Sequence, residues 1–435
     1  MKKQRPISGL LLAASFWLLP AFIATSAAQS AGVDLAECLS FNQALDLAAK
    51  NDPGIRIAQA ELSSVETDLT EAKALRRPQV SAFSRYGVGD EGLVNSAIEN
   101  QFGLRASQRL IDFGDSRLAR EAAQEAIYAQ ENLVLSAEQD VVLRAGLSYI
   151  DWLEARAQLE ATVERADYFA RELSTLKRAL ESGGATMAEV AEISAEKAQS
   201  ESDRFELEYE LSRAQIALRI ATRSDQALCT SQLPIIEASL NPLAEGAQAQ
   251  NYTANAVASN PGVKALQRTA QKLDLEAERE KRSRLPIIEA VGIASYTSDD
   301  IFGSYQFRDR LGVDVSVPLY TGSMLKARQN RALAEARKAR GDLDQRKQDL
   351  EMQTVTTYRR VLLLRAQSGR RDAVTEFRQT EFDAVQNGYE NGIGTLPELV
   401  DSRLQLENAK LRQIGTQFLY LREALTLKSL TGSLK

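Results

Sequence analysis

The chain has 435 residues, a formal net charge of −6, no histidine, two cysteines and four methionines. Those counts exclude His-based metal centres and Ser-His-Asp or Cys-His catalysis, and an acidic chain of this kind is a poor partner for nucleic acid. With no Walker-type lysine loop and no GxGxxG after a strand, the sequence reads as a non-enzyme without a cofactor.

At the N-terminus, Lys2, Lys3 and Arg5 precede an apolar run from Ile7 to Ile23 and the small residues Ser26-Ala27-Ala28. This is the pattern of a secretory signal peptide over residues 1–28. An uncleaved anchor fits less well because the run is short and Pro20 breaks it. Cleavage after Ala28 removes three positive charges and takes the net charge from −6 to −9. No Leu-x-x-Cys lipobox lies at the junction, so the mature end is expected to be unacylated. Cys38 and Cys229 then fall in an oxidising compartment, where a disulfide and two buried thiols both fit.

The rest of the chain says the same thing twice, about 208 residues apart. Asp52-Pro53-Gly54-Ile55 returns as Asn260-Pro261-Gly262-Val263, Arg77-Pro78 as Leu285-Pro286, and Tyr149 as Tyr358. Glu181-Ser182-Gly183-Gly184-Ala185-Thr186 is answered by Glu390-Asn391-Gly392-Ile393-Gly394-Thr395. Such register over so long a span predicts a fused duplication whose halves, 29–240 and 241–435, fold alike.

Each half opens with a helix whose N-cap, Asp52 or Asn260, precedes a proline at the first helical position. Alternating segments follow: strands over about 79–88 and 101–111 in the first half, and about 287–296 and 310–319 in the second. Phe102, Leu104, Ala106 and Leu110 alternate with polar residues, as do Leu311, Val313, Val315, Val317 and Leu319. The linkers between strands are rich in Gly, Asp, Asn and Ser. No later stretch of about 20 apolar residues exists, so no transmembrane helix is expected, while these hairpins have the length of outer-membrane strands.

Long helices come next, over about 115–182 and 323–390. Asp115 or Ser116 can cap the first, and Thr321 or Ser323 the second. At 1.5 Å per residue each reaches about 100 Å. Gly183-Gly184 and Gly392-Ile393-Gly394 then turn the chain, and Thr186 or Thr395 can cap a return helix over about 187–222 or 397–430. Four strands cannot close a barrel and their open edges are unstable in lipid; several chains must share one barrel. The bland alternative is a soluble four-stranded sheet packed on helices, but such rods do not cover a small sheet.

The order of these parts, with Leu110-Ile111-Asp112-Phe113-Gly114 and Leu319-Tyr320-Thr321-Gly322-Ser323 at the strand-to-helix junctions, resembles the TolC family of outer-membrane channel proteins across nearly the whole mature chain. The resemblance implies a mainly α fold with a small β part: a homotrimer with four strands per chain in a twelve-stranded outer-membrane β-barrel, continued by a coiled-coil α-barrel tunnel through the periplasm. The loops at about 89–100 and 297–309 would face outside the cell. The implied partners are a periplasmic adaptor (membrane fusion protein) and an inner-membrane ABC transporter or proton-driven pump, with outer-membrane lipid around the barrel.

Gly183, Gly184, Thr186, Gly392, Gly394 and Thr395 match the tip motif that meets the adaptor, although plain turn formation also accounts for them. Glu398 and Asp401, three apart on one helix face, match an acidic ring at the closed entrance that favours cations. An arginine that helps lock that entrance in some relatives has Gly394 in its place here, so that detail does not carry over. Type I secretion of unfolded protein is the favoured export task, with multidrug efflux as the alternative; a periplasmic coiled-coil adaptor or scaffold without a pore is the reading from another class.

Overall fold

A computed structural model describes residues 38–90, 96–240, 249–298, 304–432 and 434. The segment expected to be a signal peptide lies outside them, as do parts of both loops expected to face outward, 91–95 and 299–303. The described chain opens with α1 (Phe41–Asn51) and α2 (Pro53–Ala74), then β1 (Gln79–Asp90) and β2 (Ser96–Ile111). The long hairpin α3 (Asp115–Glu181) and α4 (Met187–Thr222) follows, with the short helices α5 (Leu233–Leu240) and α6 (Ala249–Ser259) after it. The second copy is α7 (Pro261–Arg282), β3 (Ile287–Ser298), β4 (Gln306–Ser316), α8 (Met324–Glu390) and α9 (Leu396–Leu430).

Helix and strand starts follow from local chemistry. Asp52 Oδ1 accepts the Gly54 N–H at 2.6 Å and Asn260 Oδ1 accepts the Val263 N–H at 3.1 Å, each just ahead of a proline that needs no helical donor. α3 and α8 each contain 67 residues, about 100 Å at helical rise. The single glycine noted within α3, Gly146, marks a close approach: a Cβ there would sit 2.7 Å from Leu425 Cδ2 on α9. Small residues thus let helices of the two copies meet.

One antiparallel sheet holds all four strands in the order β1-β2-β3-β4. β2 and β3 join the two copies, leaving one edge of β1 and one of β4 open. α3 packs on α2 and α4 of its own copy and on α7 and α9 of the other. The largest core cluster joins Leu39, Phe41, Tyr149, Trp152, Leu218, Ile236, Phe418 and Leu421, so it draws on both halves. Arg422 reaches across the copies to Asp151 at 2.7 Å and also pairs with Glu154.

Three expectations need correction. The strands β1, β2 and β3 run further toward the outer loops than composition suggests, because Gly87, Val88, Gly89 and Asp90 continue the ladder against Glu99, Ile98, Ala97 and Ser96; backbone pairing does not require apolar side chains. β4 spans 306–316, not 310–319. Its last partner pair is Ile287 with Ser316, and beyond it Pro286 on one strand and Pro318 on the other lack the N–H that a ladder needs.

The third correction concerns the long-helix caps. Gly114 and Ser323 occupy the N-cap positions, both with left-handed backbone and neither with a side-chain cap. The capping oxygens of α3 come from Asp112, which accepts the Gly114 N–H at 3.1 Å and the Ser116 N–H at 3.0 Å and also bonds the Ser116 hydroxyl. Asp115 instead pairs with Arg279 of α7 at 2.8 Å and Arg109 at 3.1 Å.

Candidate functional site: the hairpin tips and the four-stranded sheet

The tips are built from two turns of the same design. Gly183 and Gly392 adopt φ of 78° and 73°, where a side chain would strain the backbone. The Gly183 N–H donates to Leu180 O at 3.1 Å and the Gly184 N–H to Ala179 O at 2.7 Å. Likewise the Gly392 N–H donates to Tyr389 O at 3.0 Å, and the Ile393 and Gly394 N–H groups reach Gly388 O at 2.9 and 3.2 Å. The carbonyls left over at each helix end are thereby used.

Each return helix then starts with a reciprocal cap. The Thr186 N–H donates to Glu189 Oε2 at 2.7 Å while the Glu189 N–H donates to Thr186 Oγ1 at 3.2 Å. The Thr395 N–H donates to Glu398 Oε2 at 3.0 Å. Glu398, singled out from the sequence as a pore-entrance residue, is therefore also a capping-box residue. The spacing Thr-x-x-Glu was readable in both copies as that signal.

Thr395, through its backbone N–H and then its hydroxyl, holds the Glu398 carboxyl below the ordinary range, and Thr186 does the same to Glu189. Asp401 is exposed and accepts from Gln405 Nε2 at 2.6 Å. Gly183, Gly184, Thr186, Gly392 and Thr395 are exposed, Gly394 is half-buried, and Met187 and Ile393 add two exposed apolar side chains.

Behind the tips, Phe169, Leu176, Val190, Ile193, Phe382, Leu396, Leu399 and Leu406 form a second core cluster that ties both hairpins together. Within it lies Arg403, a residue the sequence reasoning missed. Its guanidinium stacks on Tyr168 at 4.6 Å and Phe382 at 5.2 Å, and it pairs with Glu407 at 2.6 Å. Arg403 and Glu407 stand four apart, which in sequence looks like any exposed helical pair. Burial pushes Tyr168 up to about 12, with the Glu172 charge adding to the shift and Arg403 opposing it. Burial and the nearby Glu390 charge raise Glu172.

Cys38 and Cys229 are joined as a disulfide. The bond clamps a parallel bridge in which the Leu39 N–H donates to Ala227 O at 2.7 Å and the Cys229 N–H to Leu39 O at 3.1 Å.

At the opposite end from the tips, the sheet has two unlike faces. Val80, Phe102, Leu104, Tyr296, Leu311, Val313 and Val315 share one face by register and are exposed, Leu311 at 89%. Phe102 contacts Tyr296 at 5.6 Å and Tyr305 at 5.3 Å, and Tyr296 contacts Phe307 at 5.4 Å, an aromatic patch at the outer end of that face. Asp309 interrupts the face beneath it. The other face carries Gln101, Arg105, Ser295, Arg308 and Arg310. Apolar outside, polar inside and aromatic near the rim is the pattern of an outer-membrane strand set.

The outer membrane efflux protein model matches residues 44–222 and 248–433, taking in both copies. The chain belongs to that family. It is an outer-membrane export-channel protein and not an enzyme. Among curated relatives, it is 25% identical to the outer membrane efflux protein BepC of Brucella suis over 69% of this chain and 65% of BepC, just under two thirds of that protein. It is 22% identical to the outer membrane protein TolC of Escherichia coli over 96% of this chain and 86% of TolC. It is also 22% identical to the alkaline protease secretion protein AprF of Pseudomonas aeruginosa over 76% of this chain and 69% of AprF. The crystal structure of CusC superposes with a TM-score of 0.79 over 96% of this chain and 99% of CusC at 17% identity, which is a likeness of fold.

Proposed function

We propose that this family member is the homotrimeric exit duct of a tripartite export system, with a secretory signal peptide over residues 1–28. The observation that carries the reading is a four-stranded sheet with an exposed apolar face and two open edges, joined to helices about 100 Å long. Three copies, each pairing its β1 edge with a neighbour's β4 edge, give a closed twelve-stranded barrel that leaves no edge in lipid. The helices support the same assembly. α4 exposes Phe205, Tyr209, Ile216 and Ile220 along one face, and α8 exposes Met352, Leu363 and Val374 at eleven-residue spacing, with Phe377 about one turn beyond Val374. Neighbouring copies would cover these stripes and form the periplasmic tunnel.

In this arrangement the tips are the entrance. Gly183, Gly184, Thr186, Gly392, Gly394 and Thr395 meet a periplasmic adaptor, and Glu398 with Asp401 forms an acidic ring that favours cations. The energy comes from an inner-membrane ABC transporter or proton-driven pump. The favoured task is type I protein secretion, supported by the likeness to AprF and by the absence of a lipobox cysteine at the signal junction. The likeness to BepC favours small-molecule efflux as the second reading.

A deletion strain separates the two. Loss of a large secreted or surface protein with unchanged resistance to detergents, dyes and antibiotics supports secretion. Hypersensitivity with an unchanged set of exported proteins assigns the chain to efflux.

A further inference from the structure

The polar face of the sheet is not evenly charged. Strand register puts Arg105 of β2 and Arg310 of β4 at one level, on either side of Ile293 of β3. Arg308 stands one level further out, opposite Ser295, and Arg85 of β1 stands one level beyond that, opposite Gln101. These four guanidinium groups span four residues along the wall, about 13 Å at strand rise.

Among the side chains described, their counter-charges are few; by register Glu99 falls on the same face one level beyond Gln101. Arg105 and Arg310 share Asp314 at 4.0 and 3.8 Å, contacts at the limit of an ion pair, with Arg310 at 74% side-chain exposure. Among the described residues, Arg85 and Arg308 form no ion pair, and both are exposed. Arg109, by contrast, is largely covered and holds Glu289 at 3.7 Å and Asp115 at 3.1 Å, so Glu289 is already engaged below the band. A structural role would bury or pair these arginines, as it does Arg109. Surface solvation does not account for them either, because the face opposite the apolar one is the barrel interior in the proposed trimer.

We infer that the barrel lumen carries an arginine band that binds carboxylate-rich polypeptide, an acidic stretch of the exported chain or its like. The inference rests on the trimeric channel reading. Three copies bring three sets of Arg85, Arg105, Arg308 and Arg310 around one pore, and low-dielectric walls focus their field. Arginine suits this ligand because its planar fork takes a carboxylate in two parallel hydrogen bonds. Arg308 and Arg310, two apart on one strand, stand about 7 Å from each other along the wall, and Arg105 lies two strands from Arg310, about 10 Å across it. One carboxylate therefore engages one arginine, and a run of several carboxylates engages the band as a whole. The proposed acidic ring of Glu398 and Asp401 would sit at the far end of the molecule, so entrance and exit carry opposite signs.

The test uses the full-length protein in planar bilayers, with hexaglutamate or hexalysine added on the outer side at low salt. The expected result is current block by hexaglutamate at concentrations at least tenfold below hexalysine, weakening as KCl screens the charges. The R105Q/R308Q/R310Q variant should lose at least tenfold of that sensitivity. If the triple variant does not assemble, R308Q alone serves, since Arg308 has no ion pair among the described residues; it should shift block about threefold in the same direction. Channels that conduct but respond equally to both peptides, or whose hexaglutamate block survives the substitutions, would overturn the arginine band while leaving the channel reading intact. Absence of conductance from the wild-type protein would instead count against the channel reading and remove the inference with it.

Discussion

The Tyr149 hydroxyl lies 2.9 Å from the Cys229 carbonyl oxygen and 3.1 Å from that of Leu39, donating into the strand bridge that the Cys38–Cys229 disulfide clamps. Tyr149 is fully buried between Phe41 and Trp152, whose rings meet it edge-on at 5.5 and 5.8 Å. One aromatic side chain of α3 thereby anchors the segment before α1 and the segment after α4. Burial pushes the Tyr149 phenol up to about 12, so it stays a neutral donor through the physiological range.

Y149F keeps the ring packing and removes the hydroxyl donor from the Cys229 carbonyl, while the Leu39 carbonyl keeps the Cys229 N–H at 3.1 Å. A cost of about 1–3 kcal/mol is expected, the penalty for leaving a buried acceptor unsatisfied. Thermal unfolding of the detergent-solubilised protein reads it. An unchanged midpoint would show that the hydroxyl contributes nothing at this site.

C38S/C229S opens a loop with a sequence separation of 191 residues. The expected loss is about 2–5 kcal/mol, seen as faster proteolysis near residues 38–41 and 223–230. Y149F and C38S/C229S act on one bridge, so their effects should not add.

Arg403 is the residue whose loss should be felt most at the entrance end. Glu407 is only 2% exposed, and R403A would leave its carboxylate buried with Lys410 at 3.6 Å as the remaining partner. Removing one member of a buried pair costs about 3–5 kcal/mol. Arg403→Lys keeps the charge but loses the flat stacking on Tyr168 and Phe382, so an intermediate effect is expected. Hydrogen exchange along residues 165–176 and 378–390 distinguishes local loosening from global unfolding.

Two carboxylates near the tips should respond to pH in opposite senses. Glu398 is depressed by its bonds from Thr395, so the cap it stabilises is present above the ordinary value of 4.5 and is lost as pH falls through the lower folded value. Glu172 is raised by burial and by Glu390; its neutral form suits that half-buried place beside Glu390, and the stability it contributes there is lost as pH rises through the raised value. Protection of the Thr395 amide, taken relative to the intrinsic exchange rate at each pH, should therefore fall in acid in the wild type and show little pH response in E398Q. E172Q should flatten the response near Glu172 on the alkaline side. The same E398Q change, combined with Asp401→Asn, should lower cation preference if the acidic ring exists; unchanged selectivity would reject the ring.

What the sequence disclosed and what it hid divide along physical lines. The two copies, the long helices and the tip turns were legible because their signals are local: proline after Asp52 and Asn260, a glycine at the positive-φ position of each tip turn, apolar residues at period two in β2 and β4. α1 was not anticipated, although Ser40-Phe41-Asn42-Gln43 carries a capping box in which Ser40 Oγ takes the Gln43 N–H at 3.4 Å. The role of Asp112 was missed because it caps α3 from outside the helix across a left-handed Gly114. Arg403 was invisible because its burial depends on Tyr168 and Phe382, which are far away in sequence and belong to different helices. The end of β4 was misplaced because alternation continues through Val317 and Leu319 while Pro286 and Pro318 stop the pairing.

The central claim is that three copies close one barrel and one tunnel. The most direct measurement is the protein mass, by native mass spectrometry, of the particle extracted from outer membranes in mild detergent. The account predicts a mass of three chains with the signal peptide removed, and dissociation to monomer only with unfolding. A folded monomer in the soluble periplasmic fraction would contradict it.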